Sequence, residues 1–305
     1  MEGKKHTVTL AGFIITIIGS ILFSTKAIIV KVAFKNTSMD ALTLLMLRMT
    51  FSLPFYLAAI WFARREGLTP LTTRQWLGVI GLGLFGYYLS SLFDFIGLQY
   101  VTAGLERLIL FLYPTFAVFI NAFVFKQPVV RTQKIALFLT YTGIAIAYIG
   151  ELRIGDFGNN PNFIWGSFLI FLCSITYSIY IVGSGRLIPT VGVTRFTAYA
   201  MLSSTAGVFA HFALGGGSLQ LLQEAGTHVW YGILLAVVAT VLPTFLLSNG
   251  MKRIGSNNVA IISAIGPVST IIQAHFILGE KIFPAQIAGT LLVIIGVVLI
   301  GWKRK

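Results

Sequence analysis

The 305-residue sequence predicts an all-α membrane protein with ten transmembrane helices, arranged as two inverted five-helix repeats around a central cavity. Three observations predict it. Hydrophobic residues make up 56% of the chain and charged residues only 10%, against about 25% charged in a soluble domain. Apolar runs of about 20 residues, enough to cross a hydrocarbon core of roughly 30 Å, recur from end to end. The punctuation of the first half also returns in the second half at a fixed distance.

The predicted spans are 10–32, 41–63, 76–98, 103–125, 133–150, 163–184, 194–214, 229–250, 257–278 and 283–302. The start MEGKKH resembles a signal peptide, but the run from Leu10 to Val30 is long enough to span and no small-residue cleavage site follows. It is read as the first helix, retained. Turn-forming or charged stretches such as KNTSMD, RREGLTPLTTR and GGGSLQLLQEAGTH separate the later runs. Lysine and arginine orient the set. With the N-terminus inside, fifteen of the 22 fall in inside segments, five fall outside, and Lys26 and Arg48 lie within spans. An even number of spans puts both termini in the cytoplasm, so the expected location is the cell (cytoplasmic) membrane, multi-pass. The net charge of +13 is read through this orientation bias. It does not point to nucleic acid, because the basic residues are scattered in short clusters between apolar runs.

A shift of 153 residues places Gly97 on Gly250, Pro114 on Pro267, Gln133 on Gln286 and Gly143 on Gly296. Shared Ile and Leu mean little in apolar text. A proline in mid-span means more, since it removes a backbone hydrogen bond where no water replaces it. The two repeats are residues 1–150 and 151–305. Five is odd, so the second repeat enters the membrane with the opposite orientation. Such inverted repeats are the plan of secondary transporters, with the substrate near the midplane. A duplicated structural bundle is the other reading of the same repeat.

The residues that carry the repeat also carry a resemblance. Pro267, the run Phe276-Ile-Leu-Gly-Glu280, Gln286, Gly289 and Gly296-Val297 resemble the EamA family of the drug/metabolite transporter superfamily. The first repeat has Pro114, Gln133 and Gly143, but Gln127 stands where that family usually shows Glu. The resemblance covers essentially the whole chain and implies ten helices in two five-helix repeats. It also implies movement of small metabolites such as amino acids, sugars or drugs through a central cavity, with export favoured. Glu280, beside Lys281, reads as a local ion pair or helix cap before it reads as a transport residue.

Charges within spans cost about 2.5–3.5 kcal/mol each on insertion scales and face a cavity or a partner. Lys26, Arg48, Asp94, Glu106 and Arg107 come from four spans and lie at similar depth, toward the outer side. One role is a structural network holding the first repeat together, which Lys26 and Arg48 fit best. The other is an outer gate or subsite for a carboxylate, with Asp94 or Glu106 able to carry a coupling proton. Helical spacing then selects faces. Tyr87, Ser91 and Asp94 form one stripe. Arg107, Phe111, Pro114 and Asn121 form another, with Glu106 and Tyr113 beside it. Ser174, Ser178 and Tyr177 mark the sixth span; Thr240, Thr244 and Ser248 the eighth; Ser263, Pro267 and Thr270 the ninth; Thr16, Ser20 and Ser24 the first. The candidate substrate-binding set is Tyr87, Ser91, Asp94, Glu106, Arg107, Phe111, Tyr113, Ser174, Tyr177, Thr244 and Ser263. Pro114 and Pro267 are structural helix breakers that free the carbonyls of Leu110 and Ser263 toward the cavity.

Other signals fall away. Gly81-Leu-Gly-Leu-Phe-Gly86 matches the dinucleotide pattern but lies wholly inside a span, so Gly78, Gly81, Gly83 and Gly86 read as a helix-packing face. His211 and His275 are isolated, and Cys173 is the single cysteine. No nucleotide loop, nucleophile elbow or metal motif is present, so neither an enzyme nor a cofactor or metal is expected. The expected partners are a small-molecule substrate and the lipid bilayer. The expected activity is alternating-access transport of small organic metabolites, amino acids or related zwitterions first, because the cluster offers both signs of charge. Sugars and drugs stay open, as do a membrane scaffold or sensor without transport and a passive channel.

Overall fold

The computed structural model describes residues 9–64, 70–126, 129, 131–154, 161–218, 220, 223, 225–254, 259, 262–263 and 265–302. Among them there is no strand; the chain is helix after helix. Helix α1 is Leu10–Asn36 and α2 is Ala41–Arg64. Helix α3 runs over Thr73–Gly97, with a π turn at Leu84–Leu89. Helix α4 has two halves, Ala103–Leu110 and Tyr113–Phe123. Helix α5 is Arg131–Ile154 and α6 is Phe163–Val191. Helix α7 is Val193–His211, continued by a π turn at Phe212–Gly216. Helix α8 joins Trp230–Ala236, a π turn at Val237–Val241 and Leu242–Ile254. Helix α9 is Ile265–Gln273 with a π turn at Ala274–Leu278, and α10 is Pro284–Trp302.

Six of these are long and apolar enough to cross a membrane: α1, α2, α3, α4, α6 and Trp230–Leu247 of α8. Shorter apolar stretches occupy α5, α9 and α10, at Lys134–Gly150, Ile265–Leu278 and Pro284–Gly296. Helix α7, richer in Ser, Thr and Ala, belongs to neither group. The chain is therefore an integral multi-pass membrane protein.

Local chemistry sets the helix ends. Thr9 caps α1, accepting from the Gly12 amide, and Asp40 accepts from the Thr43 amide at the start of α2. Thr72 and Gln75 form a reciprocal capping box on α3. A single residue separates α6 from α7: Gly192, at φ 87°, a conformation that needs glycine. Consequently α6 runs through Pro189 to Val191, beyond the predicted end at residue 184.

The packing follows the repeat. Helix α1 packs on α8 and α9, while α6, its counterpart under the 153-residue shift, packs on α3 and α4. Gly97 meets Ile170 of α6, and its counterpart Gly250 meets Thr16 of α1. Helices α5 and α10 touch main chain to main chain: Gly143 lies on the Gly289 carbonyl, and Gly296 lies on the Ala136 carbonyl. The shift carries one of these contacts onto the other. Small residues permit this closeness, which is how helices associate where lipid already removes the hydrophobic drive. Gly83 packs on the Ala200 backbone, Gly86 on the Tyr180 ring and Gly78 on Leu187, so these glycines of the dinucleotide-like stretch are packing residues; Gly81 faces open space.

Candidate functional site

The site is organised by the first half of α4. Its N-terminal amides are held twice over. Thr102 accepts from the Leu105 amide at 3.2 Å. The carboxylate of Glu280, beyond α9, accepts from the amides of Ala103 at 2.9 Å and Gly104 at 3.4 Å. A carboxylate suits this end of a helix because the dipole there is positive. Glu280 is thus a cap, and it caps a helix of the other repeat.

The half-helix ends at Phe111 and Leu112, where the amides of these two residues bond back to Arg107 and Ile109. Pro114 lies in the first turn of the following half, where its missing N–H leaves no bond unmade. The predicted kink is therefore a break between two short helices. Pro267 is buried within α9, and Ile262 and Ser263 ahead of it are also helical. Gln127, and the side chains of Gln133 and Ser248, lie outside the described residues.

Successive residues on a helix point about 100° apart, and this separates Glu106 from Arg107. Glu106 faces α1 and α3, 3.9 Å from the Lys26 ammonium, which in turn lies 2.7 Å from Oδ2 of Asp94. Arg107 faces α9 and α1 instead: Nε donates to Thr270 Oγ1 at 3.1 Å, and a terminal nitrogen donates to the Phe23 carbonyl at 3.2 Å. Arg48 of α2 makes a similar tie on the other side. Its Nε donates to Thr240 Oγ1 at 2.9 Å and another nitrogen donates to Ser91 at 3.1 Å. The guanidinium also lies over the Phe95 ring. All five charged residues are buried, Asp94 and Glu106 completely.

The five charges divide their bonds: Lys26, Asp94 and Glu106 meet, while each arginine hydrogen-bonds a threonine of the second repeat. The reason is steric order along the helices. The π turn in α8 lets Thr240 donate to the Leu235 carbonyl five residues back, at 2.8 Å, and presents its oxygen to Arg48.

Below the charges runs a chain of aromatic rings. Phe111 meets Tyr113 with centroids 5.7 Å apart, Tyr113 meets Tyr177 at 5.1 Å, and Tyr177 stacks near Tyr180 at 6.1 Å. The Tyr180 hydroxyl donates to that of Tyr87 at 3.2 Å. Arg48 is close to Tyr87, and Arg107 to Tyr113. Tyr87, Tyr113 and Tyr177 are half-buried.

The remaining candidates divide. Ser263 meets Ser20 of α1 at 2.9 Å. Thr244 bonds the Thr240 carbonyl at 2.6 Å and lies beside the buried Tyr56 hydroxyl. Ser174 is fully buried and donates to its own helix at Phe171, as Ser178 does at Ile175. Asn121 likewise turns back to the Ala117 carbonyl. These three side chains do not present their polar groups to the aromatic chain. Tyr88 pairs with His211 at 3.0 Å between α3 and α7, which also accounts for that histidine. Tyr180 and Tyr56 were missed. Tyr180 follows Tyr177 by three residues on the same face, a spacing that could have found it. Nothing in the spacing marks Tyr56.

Comparison with known proteins places this geometry. Residues 10–149 and 164–302 match the EamA-like transporter family. An uncharacterized transporter, YcbK, of Bacillus subtilis is 30% identical over 94% of this chain and 92% of its own. An uncharacterized transporter of Archaeoglobus fulgidus is 25% identical over 100% and 99%. A WAT1-related protein of Arabidopsis thaliana is 23% identical over 100% and 91%. A solved structure, described as a crystal structure of protein, shares the fold with a TM-score of 0.66 over 96% of both chains at 19% identity. With two matched repeats and this multi-pass helical fold, the chain belongs to the EamA-like transporter family, within the drug/metabolite transporter superfamily.

Proposed function

We propose that the protein is a secondary transporter of small organic metabolites, amino acids or related zwitterions, which it exports by alternating access. One observation carries the reading. Buried arginines tie the first repeat to threonines of the second, Arg48 to Thr240 and Arg107 to Thr270, directly beside partly uncovered tyrosines. A gate must join the two moving halves by bonds that can be exchanged for bonds to solute or water. Hydroxyl-to-guanidinium bonds meet that need better than a carboxylate clamp, because a threonine left behind carries no net charge. A solute carboxylate entering from the aromatic side would compete for the guanidinium groups, and the rings would hold its apolar part. A solute ammonium group has Asp94 and Glu106 for partners. The paired packing of α1 with α8 and α9, and of α6 with α3 and α4, supports ten spans in two inverted repeats. Both termini then lie in the cytoplasm.

The test is efflux and counterflow in proteoliposomes across a panel of amino acids, sugars and cationic drugs. Saturable flux of one solute class is expected, competed by its close analogues. Flux that rises without limit points to a channel. No movement of any solute, from protein shown to be folded, sinks the proposal in favour of a scaffold.

A further inference from the structure

We propose that Ser52 and Tyr56 of α2 form, with Arg48, an anion subsite on the seam between α2 and α8, which takes the carboxylate of the transported solute one to two turns along α2 from the Arg48 tie. The inference deepens the transport reading and rests on it. Binding of a carboxylate at the seam can be measured apart from movement across the membrane.

Spacing lays out the subsite. Arg48, Ser52 and Tyr56 stand at every fourth residue of α2, so they share one side of the helix and follow each other about 6 Å apart along its axis. Helix α2 packs on α8, where Thr240 and Thr244 repeat that spacing. Arg48 donates to Thr240 at 2.9 Å, and Tyr56 lies beside Thr244. Ser52 falls between the two. Arg48 also reaches α3, at Ser91, one turn from Tyr87.

Two hydroxyls on this stripe are unmet. Ser52 is completely buried and Tyr56 is 1% exposed, yet neither oxygen has a hydrogen-bond partner. A buried hydroxyl left unpaired costs free energy, so each such group calls for a reason. Other serines in the spans avoid the cost by donating to a carbonyl three or four residues back, as Ser20, Ser24, Ser178 and Ser184 do. Ser52 does not, and the phenol of Tyr56 stands too far from its own backbone to do so. Thr115 is also unpaired and follows Arg107 by eight residues, as Tyr56 follows Arg48. There the break in α4 intervenes, so no continuous stripe joins them.

The seam has hydrogens to give and little to accept them. Thr240 and Thr244 spend their hydroxyl hydrogens on the carbonyls of Leu235 and Thr240. Tyr87 accepts from Tyr180, which leaves its own hydrogen to donate. Arg48 adds a positive charge whose bonds go to the neutral hydroxyls of Thr240 and Ser91. Neither α2 nor α8 contains an acidic residue, and Asp94 of α3 is engaged by Lys26 at 2.7 Å. What fits such a place is a group that only accepts and carries negative charge. A carboxylate does both, with two oxygens to share among the donors. One oxygen can take the guanidinium bond that Thr240 now holds, and the other the Ser52 or Tyr56 hydroxyl. An ammonium group would find only hydroxyl oxygens there. The two hydroxyls therefore select for the carboxylate end of a solute.

The test uses the full-length protein, first in detergent. Its unfolding temperature is read with each amino acid of the panel and with the matching carboxamide, which keeps the ammonium group and the side chain but loses the anionic oxygens. At least one amino acid should raise the native unfolding temperature, and its carboxamide should not. In Tyr56→Phe and in Ser52→Ala the half-saturating concentration should rise about tenfold, the size of one lost hydrogen bond to a charged group. Without solute, both variants should unfold at or above the native temperature, because each loses an unpaired hydroxyl and little else. A fall in either marks that hydroxyl as structural and overturns its place in the subsite. A native protein that responds to no amino acid, or equally to the carboxamide, overturns the proposal; so do variants with native affinity. Proteoliposomes then separate the two readings. Binding without flux sinks the transporter and leaves the subsite, whereas saturable amino-acid flux with native KM in both variants sinks the subsite and leaves the transporter.

Discussion

Glu106 and Arg107 are neighbours in sequence but serve different helices. Glu106 closes on Lys26 and Asp94, and Arg107 on Thr270 and Phe23. That both were site candidates was legible, because charge inside an apolar run is rare and costly. Their partners were not, because Thr270 and Thr240 look like ordinary packing threonines until a guanidinium reaches them. The preference for serines was less sound. Ser174 and Ser178 satisfy themselves on their own helix, as serine in a span often does. Glu280 shows how a short motif acquires a physical role. Its carboxylate supplies the acceptor that the first amides of α4 lack. Replacing Glu280 with Ala should lower stability by about 1 kcal/mol, seen as a lower unfolding temperature in detergent. Glu280→Gln, which keeps one acceptor oxygen, should lose less. Equal unfolding temperatures for all three proteins would count against the cap.

At the scale of the helix, apolar length and turn chemistry placed the elements well, but the interior of each helix was less readable. The π turns at Leu84–Leu89, Phe212–Gly216, Val237–Val241 and Ala274–Leu278 leave no mark in hydrophobic periodicity. An extra residue in a turn alters register without altering composition. The break in α4 was only half legible. Pro114 gave its neighbourhood, but the break lies at Phe111 and Leu112, whose amides bond back to Arg107 and Ile109. Glycine was the most informative residue. Gly143, Gly289 and Gly296 let α5 and α10 meet through their main chains. Gly289→Val should force these helices apart and cost about 1–3 kcal/mol or more, with a matching fall in unfolding temperature. The same change at Gly81, where nothing lies within 4 Å, should cost far less.

For the whole molecule, lysine and arginine carry the proposed orientation, and a few prolines and glycines marked the two repeats. Reporter fusions should therefore find both tails in the cytoplasm; tails on opposite faces would rule out an even number of spans. The substrate was not legible, since no single side chain selects it. A small-solute site depends on the space that packing leaves between side chains, which sequence does not spell out. The contact between α5 and α10 has a mechanical consequence. Carbonyls seated against glycines resist sliding along the pair, whereas turning about its length disturbs them least. Under the alternating access proposed above, the two halves would open as a book does, with α5 and α10 as the spine and the pages parting at the ties of Arg48 and Arg107.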